Sequence, residues 1–277
     1  MSGSTGIVHL VGAGPGAPDL ITLRAARLLQ SADIVFYDAL VHPATVALAE
    51  RAEKIAVGKR CGKHSTLQRF INKRLVDAAR KYSVVVRLKG GDPMLFGRAQ
   101  EEIDALHAAG IRCEVVPGIT AALAASAELK ISLTRRGISR NVTFATARVG
   151  AGEDASDWRG SVCAADSAVM YMAAGQAAEI AAQLIANGKP ASLPVVVVEN
   201  ASLPGMVQTA TTLGELQNSI PSMMHGGPAL LLIGQVFQAA AEARMDAEDH
   251  ELLRECLVRT RCASTFQSNY ESERGWF

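Results

Sequence analysis

The sequence predicts an α/β fold built as two domains, and three observations predict it. Short apolar runs rich in β-branched residues alternate with stretches of helical periodicity, which is the pattern of strands joined by helices. The chain has 277 residues, about the length of two domains. The polar stretch ISLTRRGISR, residues 131–140, separates two sets of these elements and is typical of a linker. We therefore expect domains at 1–131 and 132–244, followed by a polar, partly helical tail at 245–277.

The first set of elements predicts a largely parallel sheet. Its strands are expected at IVHLV (7–11), DIVFY (33–37), KIAV (54–57), SVVVRL (83–88) and RCEVV (112–116). Helices are expected to start near Asp19, Pro43, Ser65 and Gly97. The helix from Ser65 shows a capping-box pattern with Gln68. Its expected apolar face comprises Leu67, Phe70, Ile71, Leu75, Ala78 and Tyr82.

The second set predicts another α/β unit. Strands are expected at NVTFAT (141–146), SAVMYM (167–172), PVVVVEN (194–200), MVQTAT (206–211) and PALLLIG (228–234). Helices are expected to start near Gln176 and Thr212.

Composition favours a soluble globular protein, with 49% hydrophobic and 20% charged residues. The chain has no apolar run of the roughly 18 residues that span a bilayer, and its start, MSGSTG, lacks the features of a signal peptide. We therefore expect a cytoplasmic protein that makes no membrane contact. The five cysteines are scattered without metal-ligand spacing, so reduced thiols and no metal site are expected.

Positive charge is concentrated between residues 54 and 98. The basic residues there are Lys54, Lys59, Arg60, Lys63, Arg69, Lys73, Arg74, Arg80, Lys81, Arg87, Lys89 and Arg98. This concentration of positive charge suits an acidic ligand, although the basic residues between 69 and 81 also fit the solvent-exposed face of a helix. Lys59, Arg60, Lys63 and Lys89 are expected in loops and are the better candidates for ligand contact. Nucleic-acid binding is not expected, because these loops lack interleaved aromatic residues.

A glycine-rich turn follows the first strand in VGAGPGAPDL. Gly12, Gly14 and Ala17 fit the G-x-G-x-x-A dinucleotide fingerprint, and Asp38 lies about 20 residues further on, where a ribose-binding acid is expected. A nicotinamide site is therefore one hypothesis. Proline lacks an N–H, so Pro15 and Pro18 remove two donors that a pyrophosphate would need.

A second glycine turn, LKGGDPMLFGR, favours a different ligand. Gly90, Gly91 and Asp92 follow a strand of buried type, at the carboxyl edge where ligands of open α/β sheets bind. An acid there suits a ligand that carries positive charge or N–H donors. S-adenosylmethionine has both and has no phosphate to bind.

These segments resemble a known family. VGAGPGAPDLITLRA, VFYDALV, VGKRCGKHS, VVRLKGGDPMLFGR and VVPGITAALAA together closely resemble the uroporphyrinogen-III C-methyltransferases, and the resemblance runs from about residue 7 to 240. It implies the tetrapyrrole methylase fold, with S-adenosylmethionine in a cleft between two α/β domains, and a homodimer. The cofactor contacts that it implies are Pro15, Gly90, Gly91, Asp92, Leu95, Thr120, Ala121, Met172 and Ala201.

The resemblance also implies a substrate and a reaction. Uroporphyrinogen III carries eight carboxylates, and arginine is a strong carboxylate partner. Arg98 and Arg136 match family positions that meet this substrate, and Glu101 is expected beside Arg98 on the same helix as a further substrate contact. Two pyrrole carbons, two and seven, would be methylated in turn to give precorrin-2, the precursor of sirohaem and cobalamin. Arg98 is the strongest candidate for substrate contact and is also a candidate catalytic residue. Asp38 and Lys59 match residues proposed in the family as proton acceptor and donor.

Departures from the family pattern leave alternatives open. Ala39, Arg135 and Ala201 stand where many relatives have arginine, histidine and glycine, which affects substrate contacts more than the reaction class. A sister methyltransferase acting on a later precorrin would share the fold and the cofactor. A nicotinamide-dependent oxidoreductase and a non-catalytic tetrapyrrole carrier are the other readings.

Overall fold

The computed structural model describes residues 5–58, 65–150, 157–173, 175–216 and 227–242. The predicted tail at 245–277 and the basic residues Lys59, Arg60 and Lys63 lie outside these ranges. Within them, ten strands form two five-stranded sheets with helices packed on them, so the predicted α/β class is confirmed. No helix in the described ranges has the length and apolar character needed to cross a membrane.

The first sheet is entirely parallel, with the strand order β3-β2-β4-β1-β5. Its strands are β1 (Ile7–Gly12), β2 (Ile34–Tyr37), β3 (Glu53–Ala56), β4 (Val84–Lys89) and β5 (Cys113–Val116). The connecting helices are α1 (Leu23–Ser31), α2 (Pro43–Ala47), α3 (Ser65–Ala79) and α4 (Ala99–Ala108). Because all five strands are parallel, the loops that follow them meet at one edge.

Both faces of this sheet are covered, as a parallel sheet requires. Alternate residues of β1 and β4 face opposite ways: Leu10 and Val85 pack with α3 and α4, whereas Val11 and Val86 pack with α1 and α2. Each face therefore has its own apolar core.

The second sheet is mixed, with the order β6-β7-β10-β8-β9. Its strands are β6 (Val142–Thr146), β7 (Ser167–Tyr171), β8 (Pro194–Glu199), β9 (Val207–Thr212) and β10 (Ala229–Gly234). β6 and β7 are parallel, and the other neighbouring pairs are antiparallel. One face packs against α6 (Trp158–Ala164) and α7 (Ala177–Ala186).

Helix α5 (Ala121–Leu129) follows β5 in the chain but packs against the second sheet. Its buried Ala122 and Ala125 join the apolar cluster of Val169, Val198 and Leu232. The chain thus crosses to the second sheet before residue 121, earlier than the predicted linker. The domain boundary at 131/132 stays a prediction.

Several helix starts differ from those predicted. A short 3-10 turn occupies Pro18–Leu20, and α1 begins at Leu23, where the Thr22 side chain accepts a hydrogen bond from the Ala25 N–H. Helix α4 begins at Ala99, because Arg98 has a left-handed backbone conformation and forms the N-cap. The helix predicted near Thr212 begins at residue 213.

Helix α3 starts where predicted, but two of its side chains differ from expectation. Phe70 is 54% exposed instead of belonging to the buried face, and the Arg74 guanidinium lies over its ring. Gln68 turns its amide group to Asn72 and Glu102. Ile71 and Leu75 are buried as predicted.

Candidate active site

Three glycines bring the loops of the first sheet together at its carboxyl edge. Gly12 ends β1, Gly91 follows β4 and Gly118 follows β5. A Cβ on Gly12 would lie 2.5 Å from the Gly118 Cα, and a Cβ on Gly118 would collide with the Gly91 carbonyl oxygen. This set is here termed the glycine junction. It requires glycine because Gly12 and Gly118 pack backbone against backbone and Gly91 has a φ of 67°.

Three backbone amides of the first turn, those of Ala13, Gly14 and Ala17, are already hydrogen-bonded. The Gly14 N–H donates to the Gly91 carbonyl at an N-to-O distance of 3.3 Å, and the Gly91 N–H donates to the Gly14 carbonyl at 2.7 Å. The Ala13 N–H donates to the Lys89 carbonyl at 2.8 Å. The Ala17 N–H donates to the Ser202 hydroxyl at 3.0 Å. With proline at 15 and 18 and α1 beginning only at Leu23, this turn is a poor pyrophosphate site. The nicotinamide hypothesis therefore loses its main support.

The second turn is fixed by Asp92. One carboxylate oxygen accepts the Gly118 N–H at 2.9 Å, and the other accepts the Met94 N–H at 2.8 Å. The Leu95 N–H donates to the Asp92 carbonyl at 3.3 Å, which closes the turn. Asp92 thus ties the loop after β4 to the loop after β5 and holds a carboxylate at the glycine junction.

Residues of the second half meet this edge from the other side. Gly16 has no room for a Cβ, which would lie 2.9 Å from the Leu203 side chain and 3.3 Å from the Ala201 carbonyl oxygen. The hydroxyls of Thr120 and Tyr171 are hydrogen-bonded at 2.6 Å. Tyr171 is mostly buried, which raises its pKa above the usual value, so it acts as a neutral hydroxyl. These contacts join the two halves at the edge where the resemblance implies the cofactor cleft.

Strained backbone is concentrated in the loops around this cleft. Six described residues other than glycine have φ between 52° and 67°, and one of them, Lys130, is the C-cap of α5. The other five are Phe96, Arg98, Met172, Asn200 and Ser202. They follow β4, β7 and β8. Such conformations cost about 1–3 kcal/mol each and tend to occur at functional sites.

The predicted acid Asp38 follows β2 at the same edge. A Cβ on Gly90 would lie 3.2 Å from the Leu40 Cβ, so the loop after β2 packs on the second turn. The Asp38 carboxylate accepts a hydrogen bond from the Arg87 guanidinium at 2.5 Å. Its side chain is 29% exposed.

Arg98 and Glu101 lie together, as the sequence predicts. The guanidinium makes two hydrogen bonds to the carboxylate, at 2.6 and 2.8 Å, and both side chains are about half exposed. Arg136 lies in an exposed turn closed by hydrogen bonds between Arg135 and Ser139. Lys59 lies outside the described residues. The substrate contacts of all four residues stay predictions.

Known proteins share this architecture. The family model for tetrapyrrole (corrin/porphyrin) methylases matches residues 8–217. The siroheme synthase of Chromobacterium violaceum is 44% identical over 236 residues, which cover 85% of this chain and 50% of that protein. The uroporphyrin-III C-methyl transferase of Thermus thermophilus, solved with S-adenyl homocysteine, shares 38% identity and a TM-score of 0.73 over 84% of this chain and 100% of that one.

The chain belongs to the tetrapyrrole methylase family. The resemblance of its motifs is thereby confirmed at the level of the family. The chain spans about half the length of the curated relatives that it matches. A further member, cobalt precorrin-4 methyltransferase, shares 27% identity and a TM-score of 0.74 over 83% of this chain and 95% of that one.

Sequence reasoning missed a buried charged network in this tetrapyrrole methylase. It consists of Asp38, Gln68, Arg87, Lys89 and Glu102. Lys89, expected in a loop, is the last residue of β4 and is 3% exposed, because it points under α4. Burial, and then the neighbouring Arg87, lower its pKa. The signal was present: Arg87 and Lys89 are two apart in an apolar strand and so share one face.

One of the two described cysteines is a poor nucleophile. Cys113 and Cys163 are free thiols. Burial raises the pKa of Cys113 to about 11, so it stays protonated. Among the described residues, no three His, Cys, Asp or Glu side chains are grouped as a metal site would need.

Proposed function

We propose that the chain is an S-adenosylmethionine-dependent C-methyltransferase that methylates uroporphyrinogen III at carbons two and seven to give precorrin-2. The observation that carries the proposal is the match to a uroporphyrin-III C-methyl transferase that was solved with S-adenyl homocysteine. The match covers 84% of this chain and 100% of that protein. The coarser statement, a tetrapyrrole methylase, follows from the family itself.

The residues of the cleft fit this cofactor. The glycine junction brings the loops after β1, β4 and β5 together at the carboxyl edge, and the hydrogen-bonded amides of the first turn, those of Ala13, Gly14 and Ala17, suit a ligand without phosphate. Asp92 supplies negative charge for an ammonium or amine group. Pro15, Gly90, Gly91, Leu95, Thr120, Ala121, Met172 and Ala201 are the other proposed contacts.

S-adenosylmethionine, held by these residues, would supply an electrophilic methyl group for an electron-rich pyrrole carbon of the substrate and would leave as S-adenosylhomocysteine. The protein's tasks are to align the two reactants and to accept a proton. Asp38, partly exposed at the edge, is the proposed acceptor, and Lys59 the proposed donor. Arg98, Glu101 and Arg136 are proposed to orient the acidic substrate, with Arg98 exchanging Glu101 for a substrate carboxylate.

A later precorrin is the second candidate substrate. Its support is the fold shared with cobalt precorrin-4 methyltransferase, at lower identity than the uroporphyrin enzyme. We also propose a cytoplasmic homodimer, as the resemblance implies.

The deciding experiment is an anaerobic incubation of the protein with uroporphyrinogen III and methyl-labelled S-adenosylmethionine, followed by mass spectrometry of the tetrapyrrole. A gain of two methyl groups is expected. No transfer despite measured binding of S-adenosylhomocysteine would favour a later precorrin. Failure to bind S-adenosylhomocysteine would contradict the assignment of the cleft, and binding of substrate without transfer would indicate a carrier.

A further inference from the structure

We propose that Arg87 is a positioning residue that holds the Asp38 carboxylate at the catalytic edge, and that Glu102 holds Arg87. The inference rests on the proposed function, in which Asp38 accepts a proton. It goes beyond the roles that the resemblance implies, because the resemblance assigns none to Arg87 or Glu102.

The hydrogen bonds form a continuous series that begins at a buried carboxylate, that of Glu102. Glu102 is 0% exposed and Arg87 is 2% exposed. The Arg87 Nε donates to Glu102 Oε1 at 3.1 Å, and its Nη2 donates to Asp38 Oδ1 at 2.5 Å. Lys89 and Gln68 donate to the same Glu102 oxygen at 3.2 and 3.1 Å. One oxygen of a fully buried carboxylate therefore accepts three donors.

Strand register explains why these groups meet. Arg87 in β4 lies opposite Phe36 in β2, and Asp38 is two residues beyond Phe36, so the two side chains occupy the same side of the sheet. The guanidinium is planar and rigid, so fixing Nε against Glu102 also fixes the direction in which Nη2 points. The Arg87 guanidinium thus holds the Asp38 carboxylate in one orientation.

Stability alone does not account for the network. Burying charges costs several kcal/mol per ion, and well-packed apolar side chains commonly replace a buried ion pair without loss. The four charged members balance, and of these four only Asp38 is appreciably exposed. The network thus holds one carboxylate, that of Asp38, in a fixed orientation at the edge where the cleft lies.

A double-mutant cycle tests this inference. Arg87→Lys keeps the charge but loses the fork that bridges two carboxylates, and Asp38→Asn removes the proposed acceptor. We expect Arg87→Lys to lower kcat by about 10- to 100-fold, as misplacement of a catalytic group does, with KM and S-adenosylhomocysteine affinity nearly unchanged. In the Asp38→Asn background, Arg87→Lys should change kcat by less than about twofold, because Arg87 acts only through Asp38.

Arg112→Lys is the matched control. Arg112 also pairs with a carboxylate, that of Glu114, but is largely exposed and distant in the sheet from Asp38. Its kcat should stay within about twofold of the wild type, since exposed pairs contribute little. Glu102→Gln provides a second cycle, because glutamine keeps an acceptor for Arg87 Nε. It should lower kcat less than Arg87→Lys does, again without effect in the Asp38→Asn background.

Each outcome of these experiments either supports or contradicts the positioning role of Arg87. Additive losses of kcat in an active enzyme, or an Asp38→Asn variant with full activity, would overturn the inference alone. An inactive wild type that binds S-adenosylhomocysteine would contradict the proposed function and the inference with it. If Arg87→Lys does not fold, the Glu102→Gln cycle decides; if neither variant folds, the network is structural and the inference is wrong.

Discussion

The two sheets differ in what they bury. In the first sheet, β1 and β4 carry His9, Arg87 and Lys89 at buried positions in the middle and at the end of otherwise apolar strands. In the second sheet, β10 is entirely apolar, and the buried Ser167 and Glu199 lie at the ends of β7 and β8.

We infer from this difference that the first sheet positions the proposed catalytic groups and that the second sheet mainly stabilises the fold. Buried charge is costly, so its concentration beside Asp38 supports the proposed positioning role, whereas the buried carboxylate of the second sheet, that of Glu199, lies at a strand end and accepts the Gly227 N–H. The second sheet stabilises the fold by apolar packing and contributes loops, around Tyr171 and Ser202, that close the cleft. Changes in the first sheet should therefore affect turnover, and changes in the second should affect stability.

The largest effect, loss of cofactor binding together with loss of stability, is expected at the glycine junction. In Gly118→Ala the added methyl group would meet the Gly91 carbonyl and the Gly12 Cα, and backbone atoms cannot move aside cheaply. Overpacking of this kind costs about 1–3 kcal/mol or more, and it would displace the Asp92 contact as well. We expect loss of S-adenosylhomocysteine binding in calorimetry, together with a lower melting temperature.

Gly205→Ala is the control for that substitution. Gly205 lies in the loop after β8 with no atom within 4 Å of an added Cβ. Its stability should change by less than about 1 kcal/mol, with binding retained. Equal effects at both glycines would show that the junction is not specially constrained.

The next effect tests the second sheet. Leu231 is fully buried in β10, between β7 and β8, so Leu231→Ala leaves a cavity and should lower the unfolding free energy by about 2–5 kcal/mol. Urea denaturation measures this change. Well below the melting temperature, kcat should stay close to that of the wild type; a kcat as low as that of Arg87→Lys would break the contrast between the sheets.

The sequence was sufficient to predict the strands, the parallel first sheet and the family. Strand patterns depend on local alternation, and the glycine turns carry their own signal. It did not reveal that α5 packs on the second sheet, because packing partners are set by tertiary contacts. The charged network was missed for the same reason: Arg87 and Glu102 are 15 residues apart, and only strand register and helix packing bring them together.

A smaller effect is expected where the two halves touch. Tyr171→Phe removes the hydrogen bond to Thr120 and leaves the Ala122 N–H without this acceptor. A loss of about 0.5–1.5 kcal/mol in unfolding free energy is expected, with weaker S-adenosylhomocysteine binding. Tyr82→Phe, which removes an exposed hydroxyl contact to Glu53, is the control and should have less effect on both. Unchanged cofactor binding in Tyr171→Phe would mean that this contact does not shape the cleft.

The smallest effect concerns the pH dependence of stability in the first sheet. Burial lowers the pKa of His9 below 6.5, and nearby Glu114 opposes this only in part. The unfolded chain therefore binds this proton more readily than the folded one, so the unfolding free energy should fall as pH drops below about 6.5, by about 1.4 kcal/mol per unit of pKa difference. In His9→Gln the fall should be smaller, measured by urea denaturation between pH 7 and 5. The exposed His107→Gln should keep the wild-type dependence; if it flattens the curve as much as His9→Gln does, the buried histidine is not the cause.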